Sequence, residues 1–134
     1  MPDPNLENSV RESFTRQQVM RLLGAELVLV EPGVIEIDLP FREDLTQQDG
    51  FIHAGIITTI LDSACGYAAY TLMPAGSRVL SVEFKVNLLA PAKADLIKVR
   101  AEVKRAGKTL TVCTADAFAG EKVCATMLAT MIRR

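Results

Sequence analysis

The sequence predicts an α+β domain in which an antiparallel sheet wraps around one long central helix. Three observations lead there. From Gly55 to Met73 the chain is almost wholly apolar and contains no Lys, Arg or Glu. If helical, such a run is roughly 30 Å long and apolar on nearly every side, the character of a buried helix. Downstream, four strand-like runs follow one another with only turns between them, which implies antiparallel pairing. An antiparallel sheet with one apolar face must cover it, and this helix is the only element large enough.

The elements follow in order. Residues 1 to 8 hold two prolines among polar neighbours and are expected to be disordered. Residues 9–134 then form a single domain, close to the usual size for one. From Ser9 to Leu23 the apolar spacing of Val10, Phe14, Val19, Leu22 and Leu23 is helical. Thr15 with Gln18 resembles a capping box, so two short helices are expected, with Gly24 as the stop. Ala25 to Val30 and Val34 to Leu39 are short strands around the turn signal Pro32-Gly33. In the second, Ile35, Ile37 and Leu39 alternate with Glu36 and Asp38, the period of a half-buried strand. Pro40 to Ile52 is a polar connection, and Pro74-Ala75-Gly76 is expected to end the long helix. Val82, Phe84, Val86 and Leu88 then alternate with Ser81, Glu83, Lys85 and Asn87, and Ile97, Val99, Ala101 and Val103 with Lys98, Arg100, Glu102 and Lys104. Thr109 to Phe118 and Val123 to Ile132 complete the sheet. A sheet wrapped round one buried helix, with a short N-terminal helical segment, is the hotdog architecture.

Composition narrows the function classes. Of 134 residues 49 % are hydrophobic, and the net charge is −1 with both signs interspersed. That argues against nucleic acid as a partner. A membrane span is not expected, because Asp62 and four hydroxyl residues interrupt the apolar run. The opening M-P-D-P-N-L-E-N has no basic start and no apolar core, unlike a signal peptide. Cys65, Cys113 and Cys124 are odd in number and form no C-x-x-C, which suggests small core residues in a reducing cytoplasm.

Few side chains can carry chemistry. Asp62 is the one charge in the apolar run; burial is expected to raise its pKa and strengthen it as a base. His53, the only histidine, precedes Ala54 and Gly55 at the expected helix start. Small residues there let a ligand approach free backbone N–H groups, which suit a developing oxyanion. His53 and Asp62 are nine residues apart, about 180° round a helix. Within one helix they face opposite ways, but two chains about a two-fold axis could bring them together. Lys104, Arg105 and Lys108 cluster at a hairpin, either as a solvated face or as a phosphate contact. The one histidine and unpaired cysteines make a zinc site improbable.

Q-Q-D-G-F-I-H-A-G-I-I-T-T-I-L-D-S-A, followed by S-V-E-F-K-V-N-L-L-A-P-A, resembles the signature of hotdog-fold acyl-CoA thioesterases, in particular the PaaI-like (phenylacetic-acid degradation) group. The resemblance implies a cytoplasmic hydrolase that releases a free acid and coenzyme A. In that reading Asp62 is the nucleophile or general base, and Ala54, with Gly55, gives N–H groups to the thioester oxygen. His53 supports that loop, Gln47 stands for an orienting amide that is often Asn, and Ser81 positions the attacking water. It also implies a homodimer or dimer of dimers with composite active sites. Coenzyme A is then part of the substrate, with no other cofactor or metal. Its phosphates could meet Lys104, Arg105 or Lys108. H-A-G in place of H-G-G is a departure: if the first glycine needs positive φ, alanine there costs roughly 1 kcal/mol or more. Two rival readings are a hotdog hydratase or dehydratase on acyl thioesters, and a non-catalytic acyl-CoA binding module.

Overall fold

A computed structural model describes residues 4–134. Helices α1 (Pro4–Arg16) and α2 (Gln18–Leu23) lead into strands β1 (Glu26–Glu31) and β2 (Val34–Pro40). A single 3₁₀ turn at Glu43–Leu45 precedes helix α3 (Ala54–Tyr70). Strands β3 (Val79–Leu88), β4 (Leu96–Ala106), β5 (Leu110–Ala119) and β6 (Lys122–Arg133) follow. All six strands form one sheet in the order β1-β2-β4-β5-β6-β3, and every pairing is antiparallel.

The alternation read from the sequence sets which face meets α3. Ile35, Ile37 and Leu39 of β2 and Ile97, Val99 and Ala101 of β4 are buried on the helix side. On β5 and β6 the inward residues include Ala115, Ala117, Ala125 and Ala129. Such small side chains let the helix lie close to the middle of the sheet while the interior stays densely packed. From α3, Ile57, Ile60, Leu61, Ala64, Cys65 and Ala68 fill that interface. The opposite face of the helix, with Gly55, Asp62, Ser63 and Gly66, is not buried.

Several expectations change. Residues 4–8, expected to be disordered, belong to α1, which packs Val10 into the core; residues 1–3 lie outside the described residues. The helical segment does divide, but not by a capping box. Thr15 Oγ1 donates back to the Arg11 carbonyl at 2.8 Å, and the residue before α2, Gln17, makes no side-chain cap. Gly24 ends α2 in the left-handed conformation (φ 74°), as expected. Helix α3 stops earlier than Pro74: the Thr71 hydroxyl donates to Ala68 O at 2.6 Å and accepts the Gly33 N–H at 2.7 Å. That ties the β1–β2 turn to the helix end. No helix is long and apolar enough to cross a membrane among the described residues. The three cysteines are buried free thiols.

Candidate active site

The start of α3 is built around His53. It sits just before the helix in an extended conformation, and its Nδ1 accepts the Gly55 N–H at 2.8 Å. Nδ1 is therefore the accepting nitrogen of the ring. The contact accounts for the glycine. A Cβ on Gly55 would lie 3.1 Å from that Nδ1, closer than comfortable packing allows. Ala54 is the first residue of the helix and has no positive φ, so the alanine in place of a family glycine carries no backbone strain. The Gly55 N–H, expected to hold an oxyanion, is spent on the histidine. The Ala54 N–H has no partner among the described residues and is the free donor.

Gln47 is anchored by a local turn. Its side-chain oxygen accepts the backbone N–H groups of Asp49 at 2.6 Å and Phe51 at 3.2 Å. Both partners are donors, so this atom must be the amide oxygen, and Nε2 is left free to donate. Gln47 and Ala54 line one cleft of about 440 Å³, with Phe51, Ile57, Leu88 and Leu89 as apolar walls.

Asp62 lies on the other flank of α3. It is half-buried rather than buried, because the helix face carrying it is uncovered. Ser81 of β3 donates its hydroxyl to Asp62 Oδ1 at 2.6 Å, a short charge-assisted bond. Oδ2 has no partner among the described residues. Both residues line a second cleft of about 560 Å³, bounded by Gln17, Gly66, Tyr67 and Arg78.

The two clefts share no residue. In one chain, then, Asp62 with Ser81 and Gln47 with Ala54 do not converge; His53 and Gly55 line neither cleft. The helical-wheel argument for that separation does not apply, since His53 precedes the helix. Lys104, Arg105 and Lys108 are exposed on the β4–β5 hairpin and also line neither cleft. Sequence reasoning missed Gln17 and Tyr67. The only signal for Gln17 was its place at the break between two short helices.

The cysteines are poor nucleophile candidates. Burial pushes the Cys65 thiol well up, and pushes that of Cys113 up to about 11. Thiols so shifted are not thiolates near neutral pH.

One long helix packed on a six-stranded antiparallel sheet, with a histidine-supported turn at the helix start, defines a hotdog-fold enzyme of the thioesterase type. The chain belongs to the Thioesterase superfamily, whose family model matches residues 49–126. A crystal structure of a thioesterase family protein from Silicibacter pomeroyi is 50 % identical, with a TM-score of 0.93 over 96 % of this chain and 97 % of that one. Acyl-coenzyme A thioesterase 13 of Homo sapiens is 30 % identical over 114 residues, 84 % of this chain and 81 % of the human one. The E. coli PaaI protein from the phenylacetic acid degradation operon shares the fold at a TM-score of 0.89, over 96 % of this chain and 93 % of that one, with 16 % identity.

Proposed function

We propose that this protein hydrolyses acyl-CoA thioesters and that each active site is assembled from two chains. The observation that carries the reading is Asp62 with its free Oδ2, held by Ser81 in an open cleft of a thioesterase fold. Asp62 either takes a proton from a water that attacks the thioester carbonyl, or attacks the carbonyl itself to give a mixed anhydride that a water then hydrolyses, releasing the acid and restoring the carboxylate. The carbonyl oxygen gains negative charge, and the Ala54 N–H with Gln47 Nε2 stabilises it. The C–S bond breaks, the thiolate takes up a proton, and free acid and coenzyme A leave. Coenzyme A enters and departs as part of the substrate, and the chemistry is complete with these groups. A role for Lys104, Arg105 and Lys108 with its phosphates draws no support from the clefts.

The two-chain site is supported by the separation of the clefts and by β3. This edge strand exposes Leu80, Val82, Phe84 and Leu88, each 42–55 % accessible, beside the uncovered face of α3. A long apolar edge of this kind is a template for pairing with another copy. The proposed assembly is a homodimer or a dimer of dimers. Free buried thiols suit the reducing cytoplasm, where we place the protein.

The first test is thiol release from a panel of acyl-CoAs, with Asp62→Asn beside the wild type. Hydrolysis lost by roughly a hundredfold or more in the variant is expected; unaltered turnover removes Asp62 from the mechanism. The second test mixes two inactive variants, Asp62→Asn and Ala54→Pro. Proline fits the first helical position and removes only the N–H. After subunit exchange a composite site recovers about 25 % of activity, since half the dimers carry one intact site. No recovery after demonstrated exchange means that each site lies within one chain.

A further inference from the structure

We propose that the outer face of the sheet, at the end carrying the β4–β5 hairpin, docks on an anionic phospholipid surface through an apolar row bordered by unpaired cations. The row is Leu110 of β5, Ile132 of β6 and Leu80 of β3, which sit opposite one another in successive pairings. Alternation puts them on the outer face, since Thr111 and Met131, beside them along the strands, are buried. Leu110 and Leu80 are 48 % and 51 % accessible.

The cations surround this row. Arg78 and Arg134 exchange backbone hydrogen bonds at 3.0 and 2.8 Å, so they extend the β3–β6 ladder two residues beyond Leu80 and Ile132, on the same face. On the other side of the row Arg105 is paired with Val112, and Thr130 and Glu83 continue across the strands. Lys104 and Lys108 are exposed at the hairpin. Arg133 ties that hairpin to the end of β6, donating from Nε to the Lys108 carbonyl at 3.1 Å. Among the described residues none of Arg78, Lys104, Arg105, Lys108 and Arg134 forms an ion pair. Glu83 is the one carboxylate in these rows, and it accepts the Thr130 hydroxyl at 2.8 Å. The chain as a whole carries −1, so this positive charge is local.

The shape and composition of the patch select the partner. A row across three paired strands is an open face, and Lys104, Arg105, Lys108, Leu110 and Ile132 line neither cleft, so the patch does not enclose a small anion. Its rows hold no aromatic side chain on which bases could stack. A second copy of the same face would bring like charges together. An anionic bilayer suits every part: leucine side chains enter the headgroup boundary, and long-stemmed Lys and Arg reach the phosphates. In the proposed dimer, antiparallel pairing of two β3 edges runs about a two-fold axis perpendicular to the sheet. Both patches then face the same side and act together. The patch adjoins the Asp62 cleft, because Arg78 and Leu80 belong to both. A docked protein thus holds the rim of that cleft at a surface where amphiphilic acyl-CoAs gather. This last consequence rests on the hydrolase reading; the docking does not.

The test is co-flotation of the full chain with vesicles of phosphatidylcholine alone and of phosphatidylcholine and phosphatidylglycerol in equal parts. Binding to the anionic vesicles, weakening as salt rises, is expected. Arg105→Gln combined with Lys108→Gln is expected to weaken it about thirtyfold, and Leu110→Ser about tenfold. The melting temperature of each variant checks that it folds. Equal binding to neutral vesicles, no vesicle binding, or binding unmoved by the hairpin variant overturns the proposal. Retention by polyglutamate or by free coenzyme A without vesicle binding also overturns it, and assigns the patch to an acidic protein or to the substrate's phosphates. Turnover is not read in these measurements, so each outcome leaves the hydrolase reading as it stands.

Discussion

His53 and Gly55 constrain each other. The ring nitrogen accepts the N–H of Gly55, and a Cβ there would lie 3.1 Å from Nδ1, so the ring would have to give way slightly. Gly55→Ala is expected to displace the ring and reduce kcat/KM by about tenfold or more, with stability lowered by only about 1 kcal/mol. Paired kinetics and denaturant unfolding separate the two effects; equal activity would show that the contact is incidental. Ser81→Ala removes the donor to Asp62 Oδ1 but leaves the carboxylate in its cleft. Its kcat is expected to fall roughly ten- to a hundredfold, with a smaller change in KM. Cys113 makes a stability prediction. Its thiol, with an ordinary value of 9.0, is raised to about 11 by burial. The folded state thus favours the neutral form, and that contribution is fully present below about pH 9 and is lost as the pH rises through 11. The melting temperature should decline over this window, and less steeply in Cys113→Ala.

At the scale of elements, the close approach of α3 depends on what lies beneath it. Ala129 is fully buried on β6, opposite the buried Cys113 of β5. Ala129→Leu is expected to destabilise by about 1–3 kcal/mol through overpacking, measurable by urea unfolding. An unchanged midpoint would mean that the helix can ride up without penalty. The N-terminal helices belong to the same packing. Phe14 lies against Tyr67 at a ring-centroid separation of 5.9 Å, and Gln17 bonds two residues of α3. Residues 4–8 are polar apart from Leu6, yet they extend α1, and Leu6 packs against the core. Disorder read from composition overlooked this tertiary support.

The whole molecule leaves one side unfinished. Strand β3 pairs with β6 on one edge and with nothing on the other, and the α3 face beside it carries Asp62. The proposed two-chain site would put a second copy on this side. Val82→Lys combined with Phe84→Lys is expected to give monomers by sedimentation and to abolish turnover while Asp62 and Ser81 remain in place. Retained activity in a demonstrated monomer would contradict the two-chain site. If Asp62 is the reacting carboxylate and the Ala54 N–H the oxyanion donor, a single chain, whose clefts hold them apart, has no complete site.

Local patterning was enough for the sheet and its helix. A period of two in β2, β3 and β4, and an unbroken apolar run for α3, follow from which side chains must leave water, so a single chain's residues suffice to read them. The candidate residues around His53 and Asp62 were legible for a related reason: charge and ring nitrogen are rare in such a run, and their spacing resembles a known family. Other features depended on groups far apart in sequence. Whether Gly55 or Ala54 keeps a free N–H was decided by where the His53 ring turned. Whether Asp62 was buried was decided by which helix face the sheet covered. That Gln17 would stand beside Asp62 was decided by the path of α1 and α2 across α3. Periodicity reports the direction in which a side chain points along its own element; only the packed structure decides what it meets there.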